Sequence, residues 1–179
     1  MRAMSKTFFF CLVGVGWVVF SIAGCGSKMK SYENYADRYK IQYPLDWKVQ
    51  EEAMGASVTF LSPQEGDKDK FQENVNIVIQ DFGEQKVTLK EYSEAVKNEI
   101  KQILPGSQVV ASGDIKLSKI PGQKMITTVQ APEMKLKMLQ SWMIKDNKVY
   151  MITFTAEESQ YALLEKTVDK ILQSFKIIK

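Results

Sequence analysis

Few side chains in this sequence are placed to do chemistry, and the most pointed of them is a cysteine. Cys25 closes the run Ser21-Ile22-Ala23-Gly24-Cys25, small residues that follow an apolar stretch from Phe8 to Phe20. The other cysteine, Cys11, lies inside that stretch. A chain cut before Cys25 keeps one thiol at its N-terminus, which cannot form an intramolecular disulfide and is open to oxidation unless it is modified. The second candidate is the acidic run Glu65-Gly66-Asp67-Lys68-Asp69, with Glu73 shortly after it. Glu65, Asp67, Asp69 and Glu73 offer the oxygen ligands that calcium takes from flexible loops. Lys68 and Lys70 interleave opposite charge, and the spacing departs from a calcium-hand loop. A solvated loop is therefore the expectation, with a metal site as the lesser alternative.

Catalytic chemistry finds little else to use. The sequence has no histidine, which removes the commonest general base and the commonest transition-metal ligand. Ser-His-Asp and Cys-His arrangements are excluded, and a zinc site would need carboxylates alone. The ten glycines are scattered, with no loop of the kind that cradles phosphate. Lysines and acids are so numerous that no serine-lysine or carboxylate pair stands out. The expectation is a non-catalytic protein without a cofactor.

The segment around Cys25 has the order of an export signal: Arg2 and Lys6, then the apolar run, then small residues. The run is shorter than the roughly 20 residues that a membrane-spanning helix needs. Ile22-Ala23-Gly24-Cys25 resembles the lipobox of bacterial lipoproteins, and that resemblance implies diacylglyceryl and palmitate chains on Cys25 and removal of residues 1–24. The alternatives are an ordinary signal peptide with an incidental cysteine, or a retained hydrophobic anchor. Two or three acyl chains hold a protein stably to a bilayer where one does so marginally. Gly26 stands where an aspartate would resemble an inner-membrane retention signal, so an outer membrane is the lean if the organism has one.

About 150 residues then remain, enough for one domain with a real core. Residues 25–34 read as a polar, lipid-anchored tether and 35–179 as the domain. Loss of Arg2 and Lys6 leaves 22 basic against 21 acidic residues, a net charge of +1, which argues against nucleic acid as a partner. Strands are expected at Tyr39–Tyr43, Trp47–Val49, Ser57–Leu61 and around Val75–Ile79, where apolar residues alternate. From Thr88 the period changes: Leu89, Tyr92, Val96, Ile100 and Ile103 form one helical stripe, opened by a Thr88/Glu91 capping box and stopped at Pro105-Gly106. Further strands are expected at Val109–Leu117, Gln123–Gln130, Lys135–Lys145 and Val149–Thr155, the last two joined by a tight turn at Asp146-Asn147. A final helix starts near Thr155, with Glu158 completing a second capping box, and buries Tyr161, Leu164, Val168, Ile171, Leu172 and Phe175. The fold class is α+β, a central mainly antiparallel sheet with helices against it.

Several short motifs come in a recognisable order: Tyr43-Pro44-Leu45-Asp46-Trp47, Phe60-Leu61-Ser62-Pro63, Glu73-Asn74-Val75-Asn76-Ile77, Lys148-Val149-Tyr150 and Ser174-Phe175. This ordered set resembles the PsbP-like proteins, named for an extrinsic subunit of photosystem II. The resemblance spans about Tyr35 to Phe175 and implies an α-β-α sandwich. That family is associated with manganese, calcium and chloride retention in photosystem II, but a histidine-containing metal site has no counterpart in a chain without histidine.

Bland roles are expected for most of the conspicuous residues. Trp47 and Trp142 read as core aromatics, and Asn74 and Asn76 as partners of loop backbone. Two functions follow as expectations. The first is an extracytoplasmic lipoprotein, held to the bilayer through acylated Cys25, that acts as an accessory binding domain on a protein partner. The second is a lipoprotein that holds a small apolar or amphipathic ligand between sheet and helix, motivated by Met125, Met134, Met138, Met143 and Met151, since methionine lines adaptable pockets.

Overall fold

The computed structural model describes residues 28–179 apart from 54, 67, 68, 70 and 132. The expected signal segment, Cys25 and Asp67 therefore lie outside the described residues. The chain runs β1 (Met29–Asn34), β2 (Tyr39–Pro44), β3 (Lys48–Glu51), β4 (Val58–Leu61), β5 (Asn74–Asp81), α1 (Leu89–Ile103), β6 (Gln108–Leu117), β7 (Ile120–Gln130), β8 (Lys135–Lys145), β9 (Lys148–Glu157), α2 (Glu158–Ser174) and β10 (Lys176–Ile177). Seven strands form one sheet in the order β3-β4-β5-β9-β8-β7-β6, and β1-β2-β10 form a smaller one. All pairings are antiparallel.

Side-chain alternation along the central strands sorts the apolar residues into two cores. On β9, Tyr150, Ile152 and Phe154 join the larger cluster with Tyr39, Phe60, Ile171 and Phe175. Val149 and Met151 join a second cluster with Val96, Ile100, Met125 and Trp142. Consecutive strand residues point to opposite faces, so α2 and the small sheet cover one face of the seven-stranded sheet and α1 lies on the other. Burying Val168, Ile171 and Leu172 of α2 contributes about 1.5–3 kcal/mol each. The architecture is α+β and dominated by antiparallel sheet. The expected helix-sheet-helix sandwich is met only in part, because a three-stranded sheet shares the α2 side.

Local signals explain the helix starts and the tight turns. Thr88 caps α1 as expected: its hydroxyl accepts from the Glu91 N–H at 3.2 Å, and the Glu91 carboxylate accepts from the Thr88 N–H at 3.0 Å. Asp146 and Asn147 both adopt positive φ, 52° and 58°, the conformation that a two-residue hairpin turn demands. Three expectations are corrected. Part of the supposed tether is strand: Met29–Asn34 pairs along its whole length with β2, and Met29 and Tyr32 pack on the larger core. The second capping box does not form, because β9 stays paired with β8 as far as Glu157 and α2 begins at Glu158 without a side-chain cap. Ile103, the last member of the α1 stripe, is 64% exposed rather than core, since it sits where the helix ends.

Candidate functional site

The space beneath α1 holds a short chain of hydrogen bonds beside a cleft. Trp142 and Ser93 are both buried, and the indole Nε1–H donates to the Ser93 Oγ at 3.0 Å. The Ser93 hydroxyl in turn donates to the Leu89 carbonyl oxygen at 2.6 Å, one helical turn back. Tyr92 stands edge-on to Trp142 and to Phe82, at centroid distances of 6.5 and 6.2 Å. Beside this group a cleft of about 480 Å³ opens between α1 and the end of β5, lined in part by Gln80, Phe82, Lys86, Tyr92, Val96 and Glu99. Burial, and secondarily the charge of Glu99, push the Tyr92 hydroxyl up to about 12. It is therefore a neutral donor at ordinary pH, 3.5 Å from the Gln80 side-chain oxygen, and the cleft presents an aromatic wall with a charged rim.

The five methionines do not assemble into a pocket. Met125 and Met151 belong to the core beneath α1, whereas Met143 follows Trp142 on β8 and so faces the opposite core. Met134 and Met138 are half-buried, and none of the five lines the cleft. Trp47 packs in the larger core, as its sequence context suggested. The Asn74 side chain donates to the Gln72 carbonyl oxygen at 3.1 Å, a bond to loop backbone.

The described acidic candidates each have a hydrogen-bond partner. Asp69 accepts from the N–H groups of Glu65 and Phe71, each at 3.0 Å. Glu65 accepts from the Gln160 side chain at 3.2 Å, and the buried Glu73 accepts from the Ser62 hydroxyl at 3.3 Å. Glu65, Asp69 and Glu73 thus have separate partners, and no group of three or more His, Cys, Asp or Glu that could hold a metal occurs among the described residues.

Sequence reasoning missed exposed apolar residues on the outer edge strand of the large sheet and at the helix end that precedes it. Ile103 ends α1, and after a turn at Leu104–Ser107 the chain enters β6 with Val109 and Val110 exposed at 44% and 52%. Val110 interrupts the register between Val109 and Ala111, a bulge in a strand that has a partner on one side only. Local periodicity gives no sign of this, because an edge strand and an inner strand carry similar side chains. Only the strand order reveals that, among the described residues, β6 is unpartnered on one side.

A second exposed feature lies at the start of the described residues, which is three positions after Cys25 in the sequence. The turn from β2 to β3 presents Leu45, 57% exposed, and its N–H donates to the Lys28 carbonyl oxygen at 2.8 Å. Lys28, Lys30 and Lys48 are exposed around it, together with Asp46.

No curated protein matches the chain by sequence. Solved structures do match in fold. The solution structure of the cyanobacterial PsbP of Synechocystis sp. PCC 6803 aligns with a TM-score of 0.64 at 16% identity, over 94% of this chain and 98% of that one. LpqN of Mycobacterium tuberculosis, described as involved in cell envelope biogenesis, aligns with a TM-score of 0.64 at 13% identity, over 84% of this chain and 92% of that one. The Ran-binding protein Mog1p of Saccharomyces cerevisiae aligns at 0.60 and 7% identity, over 86% of this chain and 97% of that one. At such identities the likeness is one of fold. The family model described as PsbP matches residues 27–177, nearly all of the described fold with β1 included, and the chain belongs to the PsbP family.

Proposed function

We propose that this protein is an extracytoplasmic lipoprotein, anchored through acylated Cys25, whose PsbP domain is a non-catalytic binding module for a protein complex at the membrane surface. The observation that carries the binding role is the exposure of Val109 and Val110 on the edge strand β6, with Ile103 exposed at the end of α1 just before it in sequence. An unpaired edge offers backbone hydrogen bonds to another chain, and exposed apolar side chains beside it offer area to bury. Membership of the PsbP family and the fold shared with a Ran-binding protein are consistent with a binding scaffold. The missing histidine agrees with a role other than catalysis. The anchor rests on Ile22-Ala23-Gly24-Cys25 and on the apolar run before it.

A photo-crosslinking residue at Val110 in intact cells tests the binding role. A discrete protein adduct that disappears in an Ile103→Glu variant supports it, and repeated recovery of no adduct overturns it. Labelling with a palmitate analogue tests the anchor, which requires that label and membrane association both vanish in Cys25→Ser. The cleft beneath α1 supports a second reading, the capture of a small amphipathic ligand against Phe82 and Tyr92. Native mass spectrometry that detects a co-purifying small molecule, lost in Tyr92→Ala, would favour it.

A further inference from the structure

The structure narrows the tether enough to say which part of the domain meets the bilayer. β1 begins at Met29, four residues after Cys25. Lys28 is three residue steps from Cys25, and a fully extended chain gains at most about 3.6 Å per residue, so Lys28 lies within about 11 Å of the acylated residue whatever path the chain takes. The headgroup layer of one leaflet is itself roughly 5–8 Å deep. With acyl chains on Cys25, the corner of the domain around Lys28 cannot stand clear of the membrane surface. The tether is too short for the domain to tumble freely above it.

That corner has the side chains for the contact. Leu45 projects from the turn at the end of β2 and is bonded through its N–H to the Lys28 carbonyl oxygen, so the exposed leucine is fixed beside the exit of the tether. Lys30 and Lys48 flank it, and Lys30 lies over the Tyr43 ring at 5.5 Å from its centroid. Lys28, Lys30 and Lys48 outnumber Asp46 among the exposed charged residues of this turn and the strand ends beside it, and the loop that carries Glu65 and Asp69 starts one strand further along, after Leu61. An apolar tip with lysines beside it matches a bilayer interface, where leucine enters the acyl boundary and lysines are drawn to an anionic surface. The opposite end of the large sheet carries the Asp146-Asn147 turn; Lys48 of β3 aligns through Leu61 and Asn74 with Thr155 of β9, at the far end of that strand from the turn.

We infer that the Lys28, Lys30, Leu45 and Lys48 corner is a membrane-docking surface that inserts Leu45 into the interface of the bilayer holding Cys25. This rests on the lipoprotein reading, and the test separates the two. Cys25 is consumed by acylation and Cys11 leaves with the signal, so Leu45→Cys supplies the one free thiol for an environment-sensitive fluorophore. Asp146→Cys serves as the distal control. The full chain is expressed in a bacterium that processes lipoproteins, purified, labelled and reconstituted into phosphatidylcholine vesicles with or without phosphatidylglycerol and a lipid-borne quencher. The expected result is blue-shifted emission at position 45, quenched at least about twofold more strongly than at position 146, as for a group held within roughly 5–10 Å of the interface. Paired Lys28→Glu and Lys30→Glu changes should reduce the quenching in vesicles with phosphatidylglycerol more than in those without it. Equal quenching at the two positions in chains shown by mass spectrometry to be acylated overturns the docking surface and leaves the anchor standing. A mature chain without acyl groups overturns both.

Discussion

The hydrogen bond between Trp142 and Ser93 ties the central strand β8 to α1, and its removal should cost far more than the polarity of one serine suggests. In Ser93→Ala the indole N–H loses its acceptor while both side chains stay buried. An unsatisfied buried donor costs about 1–3 kcal/mol, from which about 0.5 kcal/mol is recovered because alanine favours helix over serine. The net destabilisation should be about 1–2 kcal/mol. Trp142→Phe removes the donor and part of the packing, for about 1–2 kcal/mol, less than the roughly 3–5 kcal/mol of complete truncation. Once the indole is gone Ser93 has no N–H to accept, so adding Ser93→Ala to Trp142→Phe should change stability by less than about 0.5 kcal/mol. The cycle thus predicts a coupling of about 1–2 kcal/mol. Urea unfolding of the domain with Cys25→Ser measures it, as midpoint shifts at constant slope. Strict additivity of the two substitutions would refute the reasoning, and so would a Ser93→Ala protein as stable as its parent.

Other substitutions probe separate parts of the fold. A Cβ at Gly122 would collide with the Trp142 carbonyl oxygen on the neighbouring strand, so Gly122→Ala should lower stability by about 1–3 kcal/mol in the same unfolding assay. Thr88→Ala should cost about 1 kcal/mol by removing the α1 cap, visible as a lower unfolding midpoint. Hydrogen bonds from the Thr88 side chain and backbone hold the Glu91 carboxyl below its ordinary 4.5. The folded pKa is depressed, so this stabilisation is present above about pH 4.5 and is lost as pH falls through the folded value; Glu91→Gln should flatten that part of the acid stability profile. Tyr92 gives the alkaline counterpart: burial raises its pKa from 10.0 to about 12, so its contribution is complete below pH 10 and is lost as pH rises towards 12. Tyr92→Phe should reduce the alkaline loss of stability, and phenolate absorbance should show one fewer late-titrating tyrosine.

How much of this was legible depends on whether a residue's role is set by its sequence neighbours. α1 could be placed to the residue at its start because Thr88 and Glu91 satisfy each other's backbone groups three positions apart. The β8–β9 hairpin was visible in Asp146-Asn147 for the same local reason. β1 was not, because in Met29-Lys30-Ser31-Tyr32-Glu33-Asn34 only Met29 and Tyr32 pack on the core, too little for a period-2 signal. Its pairing is recognisable only once Phe60 and Tyr39 are seen against Tyr32, at 5.7 and 6.2 Å. The start of α2 was misplaced because a strand pairing with β8 won over a Thr155/Glu158 capping pattern that was locally sound. The edge position of β6 depends on pairings between residues far apart in the chain, β5 with β9 above all. Alternation within one strand cannot report that order, so the strand expected from Val109 gave no sign that Val109 and Val110 stand exposed at an edge.

The correction at β1 changes what the anchor does. A tether reaching to residue 34 would let the domain sample many orientations, and the lipid would only raise local concentration. With structure from Met29 onward, a lipid on Cys25 would instead fix which end of the fold points down. In register, Lys48 on β3 aligns through Leu61, Asn74, Thr155, Met138 and Thr127 with Val109 on β6. The exposed Val109 and the tether exit therefore lie at the same end of the strands, six interstrand spacings or about 29 Å apart across the sheet before twist is considered. A partner that reaches the β6 edge from within the same membrane would meet it preoriented, and lengthening the tether would remove that advantage. Inserting a Gly-Ser linker between Ser27 and Lys28 should thus leave acylation and folding unchanged while weakening adduct formation at Val110. An adduct yield indifferent to linker length would show that the partner comes from solution and that orientation plays no part in the binding.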